Sequence, residues 1–295
     1  MAQVQSLLTN MLEQGSLFGF LGLGVLLTFR FFRFPDLTAE GSYPLGGAVA
    51  AALLIAGFHP ILATLAAIAA GMAAGTVTAL VNTRLRINNI VAGIIVMTAL
   101  YTINLRVMGR ANLSLLNTPT LFDRAEDLVA AAGLALRGPA VVIPVAFILL
   151  AAVAVAFAAF LRSDLGLAVR ATGENEAMIT GLGVNTDRTK MIGLAMSNGL
   201  IALSGALVAQ DHGFADIGMG AGILVTGAAA VMIGEALFGD GGIGRWIVAC
   251  IAGVLIYRFL VALGLRVGLE PVDLKLVTAV LLLLALALPR LRGLK

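Results

Sequence analysis

Long apolar runs alternate with short polar interruptions along the whole chain. Nine runs approach or exceed the ~18 apolar residues that a helix needs to cross a bilayer. They are continuous and do not alternate with polar positions, which argues against a membrane β-barrel. The pattern predicts an all-α fold, a polytopic transmembrane bundle of about nine helices (eight to ten) in a single domain over residues 1–295. The predicted spans are roughly 15–32, 43–58, 60–82, 88–108, 139–161, 191–210, 222–238, 244–263 and 272–289.

The amino-acid composition agrees with a membrane protein. Of 295 residues, 60% are hydrophobic and 12% are charged, and the mean hydropathy is +1.03, whereas a soluble domain is about a quarter charged. The 35 glycines suit close packing of helices in lipid and broken helices that line a cavity. The single cysteine, Cys250, excludes a disulfide framework.

The distribution of basic residues predicts an orientation. With the amino terminus outside, 12 of the 19 lysines and arginines fall in cytoplasmic loops or in the carboxyl-terminal tail, as the positive-inside rule requires. The net charge of +3 therefore indicates cytoplasmic anchoring and not nucleic-acid binding. Residues 33–46 fit this scheme least well, and we expect a broken or re-entrant region there.

The longest polar interruption on the predicted cytoplasmic side covers residues 162–190. Within it, residues 176–182 are predicted to form a short helix with Asn175 as its N-cap. Glu176 in the first turn favours the positive end of the helix dipole, and Gly183 closes the helix in a left-handed conformation. Such a helix is suited to dock into a groove on a partner. The alternative is a solvated loop with one helical turn.

Several motifs carry a resemblance to a known family. The stretch Arg170-Ala-Thr-Gly-Glu-Asn-Glu-Ala-Met-Ile-Thr-Gly-Leu-Gly-Val-Asn185 resembles the cytoplasmic coupling segment of ABC importer permeases of the branched-chain amino-acid and ribose type. Met178 departs from the family pattern, which has an alanine there. Order and spacing agree over residues 30–260, and three further stretches are similar to the family: Asp36 to Gly47, Asn88 to Val91 and Ile233 to Gly244.

The resemblance implies a transport subunit that is not itself an enzyme. ATP and Mg²⁺ are then bound by a separate cytoplasmic ATPase dimer, consistent with the lack of a G-x-x-x-x-G-K-[ST] motif in this sequence. Two permease chains, expected to be a homodimer, enclose the path in the lipid of the bacterial inner membrane, and an extracytoplasmic binding protein delivers the solute. The residues expected to couple to the ATPase are Arg170, Gly173, Glu174, Asn175, Glu176, Ala177, Gly181, Gly183 and Asn185.

Polar residues inside the spans are candidates for the wall of the solute path, because such groups are costly in a bilayer and tend to be functional. Thr98, Tyr101 and Thr102 share one helix face at i, i+3 and i+4, and Asn104 follows them. Packing between helices is the alternative role for such hydroxyls. The other candidates are Asp36, Glu40, Ser42, Tyr43, Asn88, Asn89 and Ser197.

Several of these candidates have a structural role as the alternative to lining the solute path. Asp36 and Glu40 are alternatively interfacial charges beside the arginines at 30 and 33. Asn89 is alternatively a helix cap. Ser197 shares a face with Ser204, seven residues on, and close helix packing is the alternative for both.

Other functions receive less support from the sequence. An ion-coupled secondary transporter is the main alternative, but we find no carboxylate in the middle of a span. An intramembrane enzyme needs a nucleophile with a partner, paired carboxylates or a metal cluster, and none occurs at suitable spacing. A path lined by Tyr101 and Asn104 suits a small polar solute. The resemblance favours an amino acid, with a nucleoside or sugar next, and is greatest to permeases of importers proposed to carry aromatic amino acids.

Overall fold

The computed structural model describes residues 2–239, 241–270 and 273–291, and it describes side chains for 5–239, 241–270 and 273–283. Helices dominate this part of the chain. They are α1 (Ala2–Leu26), α2 (Ala39–Ile55), α3 (Pro60–Leu85), α4 (Asn89–Met108), α5 (Leu121–Ala131), α6 (Pro139–Arg162), α7 (Asp164–Glu174), α8 (Glu176–Gly181), α9 (Thr186–His212), α10 (Ile223–Phe238), α11 (Ile243–Val267) and α12 (Leu274–Leu291).

The predicted membrane bundle is confirmed. Seven of the described helical segments are long and apolar enough to cross a membrane, and two shorter apolar helices, Ala39–Ile55 and Leu274–Leu283, accompany them. These nine elements coincide with the nine apolar runs. The described part of the chain therefore has the helices of a multi-pass membrane protein.

Local signals set where the helices begin and end. The imidazole of His59 accepts a hydrogen bond from the Ile61 amide, and Pro60 occupies the first helical position of α3. At the far end Arg86 adopts a left-handed conformation with φ of 53°. Asn185 caps α9 in the same way, by accepting from the Arg188 amide at 3.0 Å.

The chain is broken between the first two membrane helices, but over a shorter stretch than predicted. A π-helical turn, Leu27–Phe31, ends α1, and residues 32–38 are not helical. Helix α2 starts at Ala39, so the second half of the predicted 33–46 region is helical. Phe32, Phe34 and Asp36 are almost fully buried in the break, so the irregular backbone packs inside the protein, as it must at membrane depth.

Helix α9 forms the centre of the bundle, and glycines let its neighbours approach it closely. A Cβ on Gly46 of α2 would strike the Ala202 carbonyl, and one on Gly71 of α3 would strike the Asn198 backbone. Gly205 of α9 in turn lies against the backbone of Tyr43. Small residues at these crossings are the usual means of packing helices in lipid.

Two loops meet at the end of the bundle opposite α7 and α8. Strand β1 (Asn112–Ser114) pairs antiparallel with β2 (Phe214–Asp216), and Leu113 opposite Ala215 is buried with it. The sequence assigns both loops to the outside, and their pairing requires that they lie on one side of the membrane. A short 3-10 turn, Ile217–Gly220, then leads the chain back to α10.

Candidate functional site

A cavity of about 420 Å³ lies between α2, α4 and the turn before α10. Four of the predicted path residues share its wall, which contains Glu40, Gly41, Pro44, Met97, Thr98, Tyr101, Thr102, Asn104, Ile217, Gly218 and Ala221. The predicted face of α4 is thus the face that lines a cavity. Tyr101 is 57% exposed, so the cavity opens along this side of α4.

Glu40 supplies the charged group of the cavity. It lies in the first turn of α2 and is half-buried. Its Oε1 accepts a hydrogen bond from the Gly222 amide at 3.2 Å, at the amino-terminal end of α10. The positive end of the α10 dipole therefore faces the carboxylate.

Asn104 provides a second acceptor in the cavity wall. Its side chain is fully buried, and Nδ2 donates to the Gly41 carbonyl of α2 at 3.1 Å. Because a carbonyl can only accept, this bond fixes which end of the amide is nitrogen. No donor among the described residues reaches the buried Oδ1. Such an atom is costly to leave unsatisfied.

Asp36 and Ser42 do not line the cavity but meet in the core beside it. The Asn198 amide in the middle of α9 donates to Asp36 Oδ2 at 2.6 Å, and Ser42 Oγ donates to Asn198 Oδ1 at 2.6 Å. Asp36 also accepts from the Thr38 amide at 2.9 Å. We call these three side chains, Asp36, Ser42 and Asn198, the polar clamp. It fastens the broken start of α2 to α9.

The arginines near Asp36 have other partners. Arg33 forms an ion pair with Glu174 at 2.8 Å, and Arg30 forms one with Glu235 at 3.5 Å. Asp36 is 1% exposed, so it is a buried group and not an interfacial charge. The interfacial alternative therefore fails for Asp36.

The remaining path candidates also lie away from this cavity. Asn88, not Asn89, caps α4 by accepting from the Ile90 amide, and Asn89 accepts from Asn82 at the same turn. Ser197 donates to the Gly24 carbonyl and so joins α9 to α1. Tyr43 is 1% exposed and its ring packs 5.9 Å from that of Phe18.

The larger cavity of the molecule contains none of the predicted path residues. It measures about 970 Å³ and lies between α3, α5 and α6, with walls that are almost wholly apolar. A third cavity, of about 390 Å³, also combines carboxylates, a hydroxyl and an amide, but it lies beside α8 and contains Glu176, Asp187 and Lys190. Of the three, the cavity at Glu40 is the one whose wall contains predicted path residues. It is therefore the candidate for solute binding.

The segment 162–190 folds as two helices and not as a loop with one turn. Asn175 accepts from the Met178 amide at 2.9 Å and caps α8, and Gly183 has φ of 84°, as predicted. Helix α7 before it was missed. Its signal is Ser163, whose hydroxyl accepts from the Gly166 amide at 3.3 Å, followed by an acidic first turn.

Contacts fix this coupling segment to the membrane helices. Besides the Arg33 pair, Glu176 forms an ion pair with Lys190 of α9 at 2.6 Å. Gly173 lies against the backbone of Phe31 and Phe32. Arg170 is half-buried, with its Nε unpartnered among the described residues. Ala177 and Gly181 are exposed, and Asn185 begins α9.

Four large apolar side chains are exposed on α7 and at α8. Leu165, Leu167, Met178 and Leu182 are 55–71% exposed. We call these four residues the apolar face. Large apolar side chains exposed outside the membrane spans are candidates for a site of protein interaction.

One intramembrane charge escaped the sequence reasoning. Arg258 is the lone charged residue in the middle of the run 244–263, and its guanidinium lies 3.2 Å from the centre of the Phe18 ring. A charge in the middle of an apolar run is itself the signal that identifies it. The contact is a cation–π interaction in the core and does not belong to the cavity at Glu40.

Comparison with known proteins places this architecture in a family. Residues 7–287 match the family described as branched-chain amino acid transport system / permease component. The tyrosine transport system permease protein of Clostridioides difficile is 37% identical over 278 residues, 94% of this chain and 90% of that protein. The ribose import permease protein RbsC of Escherichia coli is 29% identical over 255 residues, 86% of this chain and 76% of that protein.

A solved structure shares the fold. PsaBC from Streptococcus pneumoniae in complex with Fab aligns with a TM-score of 0.52 and 15% identity, over 95% of this chain and 90% of the matched chain. At this identity the likeness concerns the fold alone.

The family match covers nearly the whole sequence, and it supports the ABC permease over the secondary transporter. The chain belongs to the branched-chain amino acid transport system permease family and is the permease component of an ABC transport system.

Proposed function

We propose that this chain imports an amino acid, driven by a separate cytoplasmic ATPase dimer that binds the apolar face of α7 and α8. A second copy of the chain completes the path, and an extracytoplasmic binding protein delivers the solute. The observation that carries the ATPase site is the apolar face itself. Its four large side chains, Leu165, Leu167, Met178 and Leu182, are exposed on helices held by ion pairs to the bundle.

The mechanism that fits this arrangement is alternating access. Helix α8 is followed directly by α9, since Asn185 both ends the connecting turn and caps α9. A displacement of α8 by closure of the ATPase therefore acts on the amino-terminal end of the central helix. Because α9 packs against α2 and α3 at glycines, its movement requires those helices to move with it.

An amino acid is the solute that the comparisons favour. The relative from Clostridioides difficile is a tyrosine transport system permease, and it covers most of this chain. The cavity at Glu40 adds hydroxyls from Thr98 and Tyr101 to a carboxylate. These groups suit a small solute with polar substituents.

The experiment uses the importer assembled from this chain and from the ATPase and binding protein encoded beside it. Met178→Glu and Leu182→Glu place charges on the apolar face without removing any core contact. We expect at least about tenfold weaker ATPase binding and a parallel loss of solute uptake, because the charges are desolvated when the ATPase docks.

The matched control is Leu116→Glu. Leu116 is 80% exposed in the loop after β1, at the opposite end of the bundle, and its substitution should leave ATPase binding unchanged. If both apolar-face variants retain wild-type uptake, the ATPase does not dock there. Uptake by this chain alone under an ion gradient would refute the ATP-driven mechanism altogether.

A further inference from the structure

The polar groups of the cavity at Glu40 are mostly acceptors. The carboxylate of Glu40 uses one oxygen on Gly222 and retains further acceptor capacity. Asn104 Oδ1 has no donor among the described residues. The Thr98 hydroxyl already donates to the Ile94 carbonyl at 2.8 Å, so it too is left to accept. The hydroxyls of Tyr101 and Thr102 can donate or accept. A solute that satisfies the three acceptors must therefore bring donors.

We propose that the cavity binds the ammonium group of the transported solute, with the carboxylate of Glu40 and Oδ1 of Asn104 as its acceptors. This inference rests on the proposed function, since it names the group of the amino acid that the permease recognises. An ammonium group carries three donors and no acceptor. It therefore satisfies Glu40, Asn104 and a hydroxyl such as that of Thr98 or Tyr101 together.

The charge of the cavity favours this ligand over an anion or a neutral sugar. Glu40 is the only acidic or basic side chain among the described residues of the wall, the phenol of Tyr101 apart. Hydrogen bonds to charged groups are about twice as strong as neutral ones. A phosphate or another net anionic solute would instead be repelled by Glu40.

Asn104 acts only when the wall moves slightly. Its side chain has no exposed surface, since Nδ2 holds α4 against the Gly41 carbonyl of α2. Oδ1 is therefore reached when α2 and α4 separate, which alternating access between two states of the bundle permits. Formation of a bond to the ammonium group then offsets the cost of leaving this acceptor unsatisfied.

The test measures uptake of L-tyrosine, L-leucine and D-ribose by the complete importer in proteoliposomes. Glu40→Gln keeps the size of the side chain and removes its charge, and we expect at least about tenfold slower uptake of the amino acids. Asn104→Leu removes the second acceptor and should slow uptake severalfold. Glu40→Asp retains a carboxylate and should transport faster than Glu40→Gln.

Two controls separate a binding role from a structural one. Glu270→Gln removes an exposed carboxylate outside the cavity and should transport at the wild-type rate. The stimulation of ATP hydrolysis by the binding protein should persist in Glu40→Gln, since the defect lies in holding the solute. A structural defect would lower both activities together, and Glu40→Asp would then be no better than Glu40→Gln.

The outcomes distinguish this inference from the proposed function. Amino-acid uptake that is equal in Glu40→Gln and Glu270→Gln overturns the ammonium site and leaves the amino-acid importer standing. Uptake of D-ribose without uptake of either amino acid overturns the proposed solute, and the ammonium site with it. Slow amino-acid uptake confined to the Glu40 and Asn104 variants supports both.

Discussion

The polar clamp predicts a large and specific loss of stability when Asn198 is removed. Asn198→Ala leaves the Asp36 carboxylate and the Ser42 hydroxyl without their partner on α9, and both residues are at most 1% exposed. A buried group that loses its partner costs about 1–3 kcal/mol. Asp36 keeps the Thr38 amide as a donor, so its cost lies near the lower end of this range. The two groups together therefore predict a loss of about 2–4 kcal/mol in the free energy of unfolding.

The neighbouring residue provides a matched control. Ser197→Ala removes one hydrogen bond, to the Gly24 carbonyl, at the same depth of α9. That carbonyl also lies within reach of the Thr28 hydroxyl at 3.4 Å, so it keeps a donor. The expected loss is about 0.6 kcal/mol, the average for hydrogen bonds between membrane helices.

The chain carries its own reporter for this measurement. Cys250 is the single cysteine and is 1% exposed, so a thiol-reactive fluorescent dye labels it only when the bundle opens. Thermal unfolding followed by this dye should show a midpoint lowered by roughly 6–10 °C for Asn198→Ala and by no more than about 2 °C for Ser197→Ala. Equal shifts for the two variants would refute the clamp.

A double-mutant cycle tests whether Asp36 and Asn198 act as a pair. If the hydrogen bond of 2.6 Å between them carries the effect, Asp36→Ala together with Asn198→Ala should cost less than the sum of the two single changes. The difference should be at least about 1 kcal/mol. Additive losses would mean that each side chain stabilises the bundle separately.

Two further predictions concern glycine and capping. Gly46→Ala should destabilise the protein by about 1–3 kcal/mol, because the added methyl group meets the Ala202 carbonyl. Gly181 has open space around it, so Gly181→Ala should instead raise stability by about 0.5–1 kcal/mol. Dye labelling of Cys250 measures both changes, and stability changes of the same sign would contradict the packing argument. Asn175→Ala removes the cap on the Met178 amide and should destabilise α8 by about 1 kcal/mol. Hydrogen exchange of the α8 amides measures this loss, and unchanged protection would show that the cap is dispensable.

The apolar runs predicted the membrane helices well but not their ends. The first run begins at residue 15, whereas α1 begins at Ala2. Likewise α9 starts at Thr186, five residues before the run at 191. Hydropathy reports which residues suit lipid, whereas a helix ends where its backbone hydrogen bonds end. For α9 the better signal was the capping residue Asn185.

The cavity wall was predictable where the sequence pattern is local. Thr98, Tyr101 and Thr102 lie three and four residues apart, so helical geometry alone places them on one face. Asp36 and Ser42 flank Glu40 in sequence, and proximity made all three candidates. Ser42 and Asp36 instead bind Asn198, 156 and 162 residues away. No periodicity in a single sequence indicates a contact at that separation.

The broken start of α2 explains why neighbours in sequence have different surroundings. Residues 32–38 are not helical, and Arg33 among them has a φ of 50°, so the helical period of α2 does not extend back to Asp36. Asp36 faces α9, while Glu40, in the first turn of the helix, faces the turn before α10. The polar clamp thus fixes the backbone segment that carries Glu40. Because the ammonium site requires that carboxylate at a fixed place, the rigidity of the clamp and the selectivity of the cavity depend on the same short segment.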